Sequence, residues 1–423
     1  MDVQGKKVVR WEQVKGPALL VFGPLGCYVA YLLVFVVRYV DPDRYPLLAR
    51  RHDAIGIALE VVGAGVCLLI AIAFLRRAGP VDAFRRIRQP LAPLILIALL
   101  LGTSALMALS VYQVLGSLSP NYLLTNYARY QFEATVGGAW IILACYAVLY
   151  LLLADMFFGG VTRLNGAVFL AGILVVSVSG GRSILMLFAL AFVVLLLCQQ
   201  VKFRHFVAAT ALTMAIVGAS FIVVTDLRDT RTTEQIERQA RPLNDKPLRP
   251  TDVFEDMNYN AAFITEDVLF GLQAGTVSPS LYALEDARWR LMPRSLSPNK
   301  PISSAETITL YPEVAARGTN ITFPLKANIM MHSGLGGYHL DWLVVMASQL
   351  AFLAGIAARN RRPNVFAFGA FFFGCAFALV ARGGILNARL LDQIACLALA
   401  YMSYRLLLWV QNVIWARNQL QTA

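Results

Sequence analysis

The chain has 423 residues, of which 58% are hydrophobic and only 15% charged. That balance excludes an ordinary soluble domain, which carries more charge and shorter apolar runs. The net charge of +12 fits a loop bias at a membrane surface better than nucleic-acid binding, because no basic stripe with interleaved aromatics stands on a soluble element.

A bilayer core is roughly 30 Å thick, so a spanning helix needs about 20 mostly apolar residues. The spans predicted in chain order are roughly 17–37, 54–75, 91–115, 137–157, 165–180, 183–199, 205–225, 338–358, 364–381 and 390–410. Lys6, Lys7, Arg10 and Lys15 precede the first, with no obvious cleavage site, so it reads as a retained span. The apolar run from Leu164 to Gln199 is too long for one crossing, and Gly180-Gly181 predicts a break within it. Cys27, Cys67, Cys145, Cys198, Cys375 and Cys396 all lie in apolar segments, which argues against a disulfide framework. No Cys/His group has zinc-ligand spacing, and no metal or cofactor is expected.

The stretch 226–325 is the one long polar interruption. It nets −3 where the rest of the chain nets +15. Phe254, Tyr259, Phe263, Leu269, Tyr282 and Trp289 run through it, which predicts a folded cap of short helices and not a tether. Asp252 to Phe270 is the clearest helix and Leu281 to Leu291 a weaker one. The division is a bundle of about seven spans over 1–225, a loop domain over 226–337, and about three spans over 338–423. Lys and Arg near the span ends number 17 on one side and 9 on the other, the long loop aside. That bias puts both termini inside and the loop outside, although Arg38, Arg44, Arg50 and Arg51 in the first outer loop run against it.

Under that orientation several cations gather on the outer face. Arg182 follows Gly180-Gly181 at the start of a span, Arg382 precedes Gly383-Gly384 at the end of one, and Arg389 opens the last. The loop adds Arg290, Arg294 and Lys300. An arginine fork binds phosphate oxygens bidentately, and a helix N-terminus presents free N–H groups. The set therefore suits a phosphorylated, membrane-anchored ligand, while any single arginine could simply snorkel to lipid headgroups. Prolines stiffen Met292-Pro293-Arg294-Ser295-Leu296-Ser297-Pro298-Asn299-Lys300-Pro301, and polar residues such as Thr307, Asn320, Asn328 and His332 follow it. An ordinary turn-rich loop re-entering the membrane would look similar.

Pro293-Arg294, Pro298-Asn299-Lys300-Pro301, and the Gly334-Leu335-Gly336-Gly337 stretch that opens a span resemble the bacterial O-antigen polymerase family, the oligosaccharide repeat unit polymerases. Gly180-Gly181-Arg182-Ser183 resembles an element those proteins carry at a span's outer end. Before the late span, where the family pattern has an acidic residue and a Tyr-x-Asn-Phe-Gly pattern, this chain has Asn328-Ile-Met-Met-His-Ser-Gly. The resemblance implies an all-α integral membrane protein of GT-C-like architecture, with about ten transmembrane helices and one large extracytoplasmic loop. It implies the bacterial inner membrane, with cytoplasmic termini and a periplasmic loop. It implies a metal-independent glycosyltransferase of lipopolysaccharide biosynthesis that joins undecaprenyl-pyrophosphate-linked oligosaccharides and releases undecaprenyl pyrophosphate. Membrane lipids, a chain-length regulator and a flippase are the implied partners. Arg182, Arg290, Arg294, Lys300, Arg382 and Arg389 are the candidate diphosphate and glycan ligands. His332 and Glu266 are the candidate catalytic residues, with His339, Asp267, Glu313 and Asp341 as alternative bases.

Three other readings stay open. An O-antigen ligase-like transferase would need the same diphosphate site. A transporter or flippase would show internal repeats and ionisable residues near the midplane, of which Glu60 is the clearest. A non-catalytic assembly protein would use the loop as a scaffold.

Overall fold

The computed structural model describes residues 18–29, 42–43, 45–51, 54–78, 87–137, 139–179, 182–199, 203–237, 250–282, 301, 304–316, 323–361, 363–383 and 388–422. Among them every regular element is a helix, and there is no strand. Six helices are long and apolar enough to cross a bilayer: Ala54–Arg77, Pro93–Leu115, Trp140–Gly159, Phe203–Ser220, Asp341–Arg359 and Gln393–Ile414. Arg163–Ser177, Ile184–Cys198 and Val365–Cys375 are apolar but shorter. The protein is thus an all-helical, multi-pass membrane protein. The expected first span, 17–37, lies partly outside the described residues, as does the weaker loop helix 281–291.

Two compact units emerge, and neither is continuous in sequence. One comprises Met1–Phe84, Gln200–Phe203 and Glu255–Asp392; the other comprises Arg85–Gln199, Arg204–Phe254 and Gln393–Ala423.

In the second unit the helix Ala139–Gly159 is central. Its apolar residues point all round, and 72% of its spanning window is buried. Phe158 packs edge-on to Phe157 and stacks on Tyr404, while Tyr150 and Phe169 meet Phe188 edge-on. One buried polar network in this unit is centred on Asp155. Asp155 is fully buried and accepts hydrogen bonds from Leu91 N–H at 2.8 Å and Asn165 Nδ2 at 2.9 Å. Asn165 also closes a capping box with Thr162, which fixes the start of the helix Arg163–Ser177. Gln411 caps from the other side, accepting from Ala92 N–H at 2.9 Å. Replacing Asp155 with Ala removes the acceptor for a buried backbone donor, and is expected to cost about 1–3 kcal/mol. Thermal unfolding in detergent measures the loss.

One helix of this unit has no counterpart in the sequence reading. Pro120–Gly137 fills the interval between the spans expected at 91–115 and 137–157, with a kink at Asn126 (φ −115°, ψ 19°). Its composition is too polar for a span, which hid it. The signal was Ser119-Pro120, since proline is favoured in a first helical turn.

In the first unit the helix Pro250–Gln273 covers the predicted helix 252–270. It buries Ala262, Ile264, Val268 and Leu269 in a core shared with Phe323, Met330 and Met331. The helix Asp341–Arg361 packs against Val365–Gly383 and Ala54–Ala78. Close approach has visible causes. A Cβ at Gly63 would fall 2.7 Å from the Trp342 ring, and one at Gly355 would fall 2.3 Å or more from the backbone of Phe371, too near to tolerate.

Candidate functional site

The segment returning from the long loop builds the site. Pro324 is extended (φ −64°, ψ 163°) and starts the helix Leu325–Ser333, here called the return helix. Gly334 ends it in the left-handed region (φ 78°), where a side chain would be strained. A 3-10 turn, Leu335–His339, follows, and then the helix Asp341–Arg361. The glycine-rich stretch singled out in the sequence is therefore a chain reversal. Gly337 sits so close to the Ser333 hydroxyl that a Cβ would collide with it.

The return helix is almost wholly buried, and it carries Lys326 inward at 0% exposure. Lys326 Nζ forms an ion pair with Glu60 Oε1 and lies 2.9 Å from Asp341 Oδ2. It also donates to the Tyr338 carbonyl at 3.1 Å and stands 4.7 Å from the centre of that ring. Burial works against the ammonium, but the Asp341 and Glu60 carboxylates outweigh it and hold Lys326 protonated above the usual lysine range. Glu60 accepts a second hydrogen bond from the Tyr28 hydroxyl at 2.8 Å, and His339 Nδ1 lies 3.3 Å from it. Glu60 and Asp341 each sit within two turns of the start of an apolar helix. The cluster thus gathers charged groups from three helices where two spanning helices begin.

Tyr28 comes from helical residues 18–29, which break at Phe22-Gly23. Pro24 has no N–H, and the Leu25 N–H freed nearby is taken by Gln349 Oε1 at 3.0 Å. A Cβ at Gly23 would fall 2.8 Å from that same oxygen.

A second polar group lies on the other side of the return helix. His332 Nδ1 is 2.7 Å from the Asn328 carbonyl, which can only accept, so Nδ1 carries the proton. In the neutral ring the lone pair is then on Nε2, which has no hydrogen-bond partner. Tyr282 packs edge-on against the ring. Asn328 Nδ2 donates to buried Glu306 at 2.9 Å, and Ser304 caps the short helix Ala305–Leu310 that holds Glu306.

Of the residues expected from sequence, His332 is described, with its Nε2 buried and without a hydrogen-bond partner. Glu266 has a structural partner: its two oxygens accept the Leu47 and Leu48 N–H groups at 2.8 Å each, capping the helix Pro46–Arg51. Glu266→Ala is expected to cost about 1 kcal/mol, as for loss of an N-cap. Calorimetry in detergent checks it. Asp267 accepts from the Tyr311 hydroxyl at 2.5 Å. Burial raises Asp267 above the usual carboxylate range while that hydrogen bond lowers it, and Tyr311 is raised by its own burial and by Asp267. Glu313 lies in the short helix Pro312–Ala316. Arg182 is the first residue of the helix Arg182–Cys198, Arg389 the second of Ala388–Thr422, and Arg382 the second-to-last of Val365–Gly383; for these three the backbone alone is described. Arg290, Arg294 and Lys300 lie outside the described residues.

The sequence reading missed the Glu60–Lys326–Asp341 cluster as a unit. In the sequence Glu60 reads as an acid inside a span, and Asp341 and His339 read as alternative bases. The usable signal was that an acid in an apolar helix requires a buried partner.

Fold and site together define a multi-pass helical membrane protein with a buried charge cluster and, on the return segment, an imidazole whose buried Nε2 has no hydrogen-bond partner. Comparison of the chain with protein-family models, with curated proteins and with solved structures finds no match.

Proposed function

We propose that this protein is an O-antigen polymerase. It joins undecaprenyl-pyrophosphate-linked oligosaccharide repeat units at the outer face of the bacterial inner membrane. The observation that carries the reading is His332: one ring nitrogen is anchored to the Asn328 carbonyl and the other is without a partner, on the segment that leads from the long loop into a late span. A base of that form can take the proton of an acceptor hydroxyl. The hydroxyl oxygen attacks the anomeric carbon of the donor sugar, the bond from that carbon to the diphosphate oxygen breaks, and undecaprenyl pyrophosphate leaves. Positive charge stabilises the departing diphosphate. Arg182, Arg382 and Arg389, each at a helix terminus, are assigned to that role, with Arg290, Arg294 and Lys300 contributed by the loop.

The ten-span, termini-inside topology belongs to the same proposal. The meeting of Glu60 and Asp341 at helix starts supports it, because two spans that begin at the same face need an odd number of crossings between them. The ten-span reading has five crossings between residues 78 and 341.

The buried ionisable cluster also suits a transporter or flippase of lipid-linked glycans, since charged residues at membrane depth mark pathways as well as catalytic sites. One experiment separates the readings. The gene is deleted and complemented with wild type, R182A or R382A, and the glycan is displayed on a gel. A polymerase leaves single-repeat glycan without a ladder, and both variants fail to restore the ladder. An unchanged ladder in both variants overturns the diphosphate assignment. Complete loss of capped core indicates a ligase-like transferase, and accumulation of inner-leaflet units indicates a flippase.

A further inference from the structure

The charges of the Glu60–Lys326–Asp341 cluster do not cancel. Lys326 supplies one positive charge and the two carboxylates supply two negative ones, with side chains 0–4% exposed. A net charge in so dry a place is costly, and binding a proton is the ordinary way to remove it.

The hydrogen bonds indicate which group takes the proton. Glu60 is well supplied: the Tyr28 hydroxyl and Lys326 both donate to it, and His339 Nδ1 is 3.3 Å away. Asp341 is not. It is fully buried and has no donor to itself: it shares Lys326 with Glu60 and the Tyr338 carbonyl, and the Tyr28 hydroxyl with Glu60.

Besides Lys326, the described side chains around the cluster include one that can carry positive charge, His339, 3.3 Å from Glu60 Oε1. Residues 24–29 bring Cys27 and Tyr28, and the Glu60 helix brings Cys67, whose thiol donates to the Trp342 carbonyl at 3.3 Å. The return helix brings Lys326, and the 3-10 turn brings Tyr338 and His339. The helix Val365–Gly383 carries Cys375 and Arg382, the latter described by its backbone alone. On the helix of Asp341 itself, Ser348 and Gln349 are uncharged, and Arg359 and Arg361 lie in its last turn.

We propose that Asp341 is a proton-binding site, held as the neutral acid in the resting fold, with His339 as the group through which that proton exchanges with solvent. His339 suits the second role because its side chain is 22% exposed while it still reaches Glu60. The cluster is then neutral: ionised Glu60, charged Lys326, protonated Asp341. Loss of the proton leaves one negative charge facing Lys326 and the return helix. The site is independent of the glycan-transfer reading, and its test uses no activity.

The test is infrared spectroscopy of the full chain, purified into lipid nanodiscs near neutral pH. Asp341 gives a protonated-carboxyl C=O band that shifts when aspartate is 13C-labelled, and that band is lost in D341N. H339Q keeps the band but slows its shift on transfer to deuterated buffer. Asp155 and Asp267 are the other sheltered aspartates described, so the band is also recorded in labelled D155N/D267N protein, where it persists. Absence of a labelled band in that background overturns the proposal whether or not D341N folds. So does a band undiminished in folded D341N. Equal exchange in wild type and H339Q overturns the role of His339.

Discussion

Replacing Lys326 with Met is expected to destabilise the protein by about 3–5 kcal/mol, the usual penalty for leaving buried charges without their partner. The volume of the side chain is nearly kept, so the loss is electrostatic. Ionised Glu60 would be left buried without its cation, and the Asp341 carboxyl group and the Tyr338 carbonyl would each lose a donor. The triple variant E60Q/K326M/D341N distinguishes this cause from a packing defect. It removes all the charges together, and replacing a whole buried ionic group by neutral residues is often close to harmless. Thermal unfolding in detergent should therefore place the triple variant well above K326M. A triple variant as unstable as K326M would show that the cluster is not where the energy lies.

The second large effect concerns His332. In a reaction on purified lipid-linked repeat units, H332Q is expected to reduce kcat by about 100- to 10,000-fold, the usual contribution of a general base. On the proposed reading the arginines hold the diphosphate, so KM should change little. Glutamine can still donate toward the Asn328 carbonyl, so the return helix keeps its local bond while the basic lone pair is lost. An H332Q enzyme with the wild-type kcat would remove His332 from the chemistry.

The helical, membrane-spanning character of the chain was legible because it rests on a local property, the length and apolarity of runs such as 54–75 and 91–115. The helix around Asp252 to Phe270 was legible for the same reason, through its periodicity. Gly334 was visible as part of a glycine-rich stretch, but its use as a left-handed helix stop was not, because several neighbouring glycines could have served. The charge cluster was not legible, since Glu60 and Lys326 are 266 residues apart and only packing brings them together. Glu266 shows the opposite case. A carboxylate in a polar loop looks free in the sequence, yet its oxygens are committed to two backbone N–H groups more than 200 positions away.

The two longest helices, Phe203–Glu237 and Ala388–Thr422, each run for 35 residues. At 1.5 Å per residue that is roughly 50 Å, against a hydrocarbon core of roughly 30 Å. Each is longer than a single crossing needs. Where each leaves the lipid is therefore decided by residue chemistry, such as Asp226, Arg228 and Asp229 in the first and Arg405 in the second, and not by a cap. A bilayer a few ångströms thicker or thinner can be met by a small shift along such a helix, with no turn of backbone to unwind. These two helices give the protein a tolerance for lipid composition that a bundle of helices capped at the interface would lack.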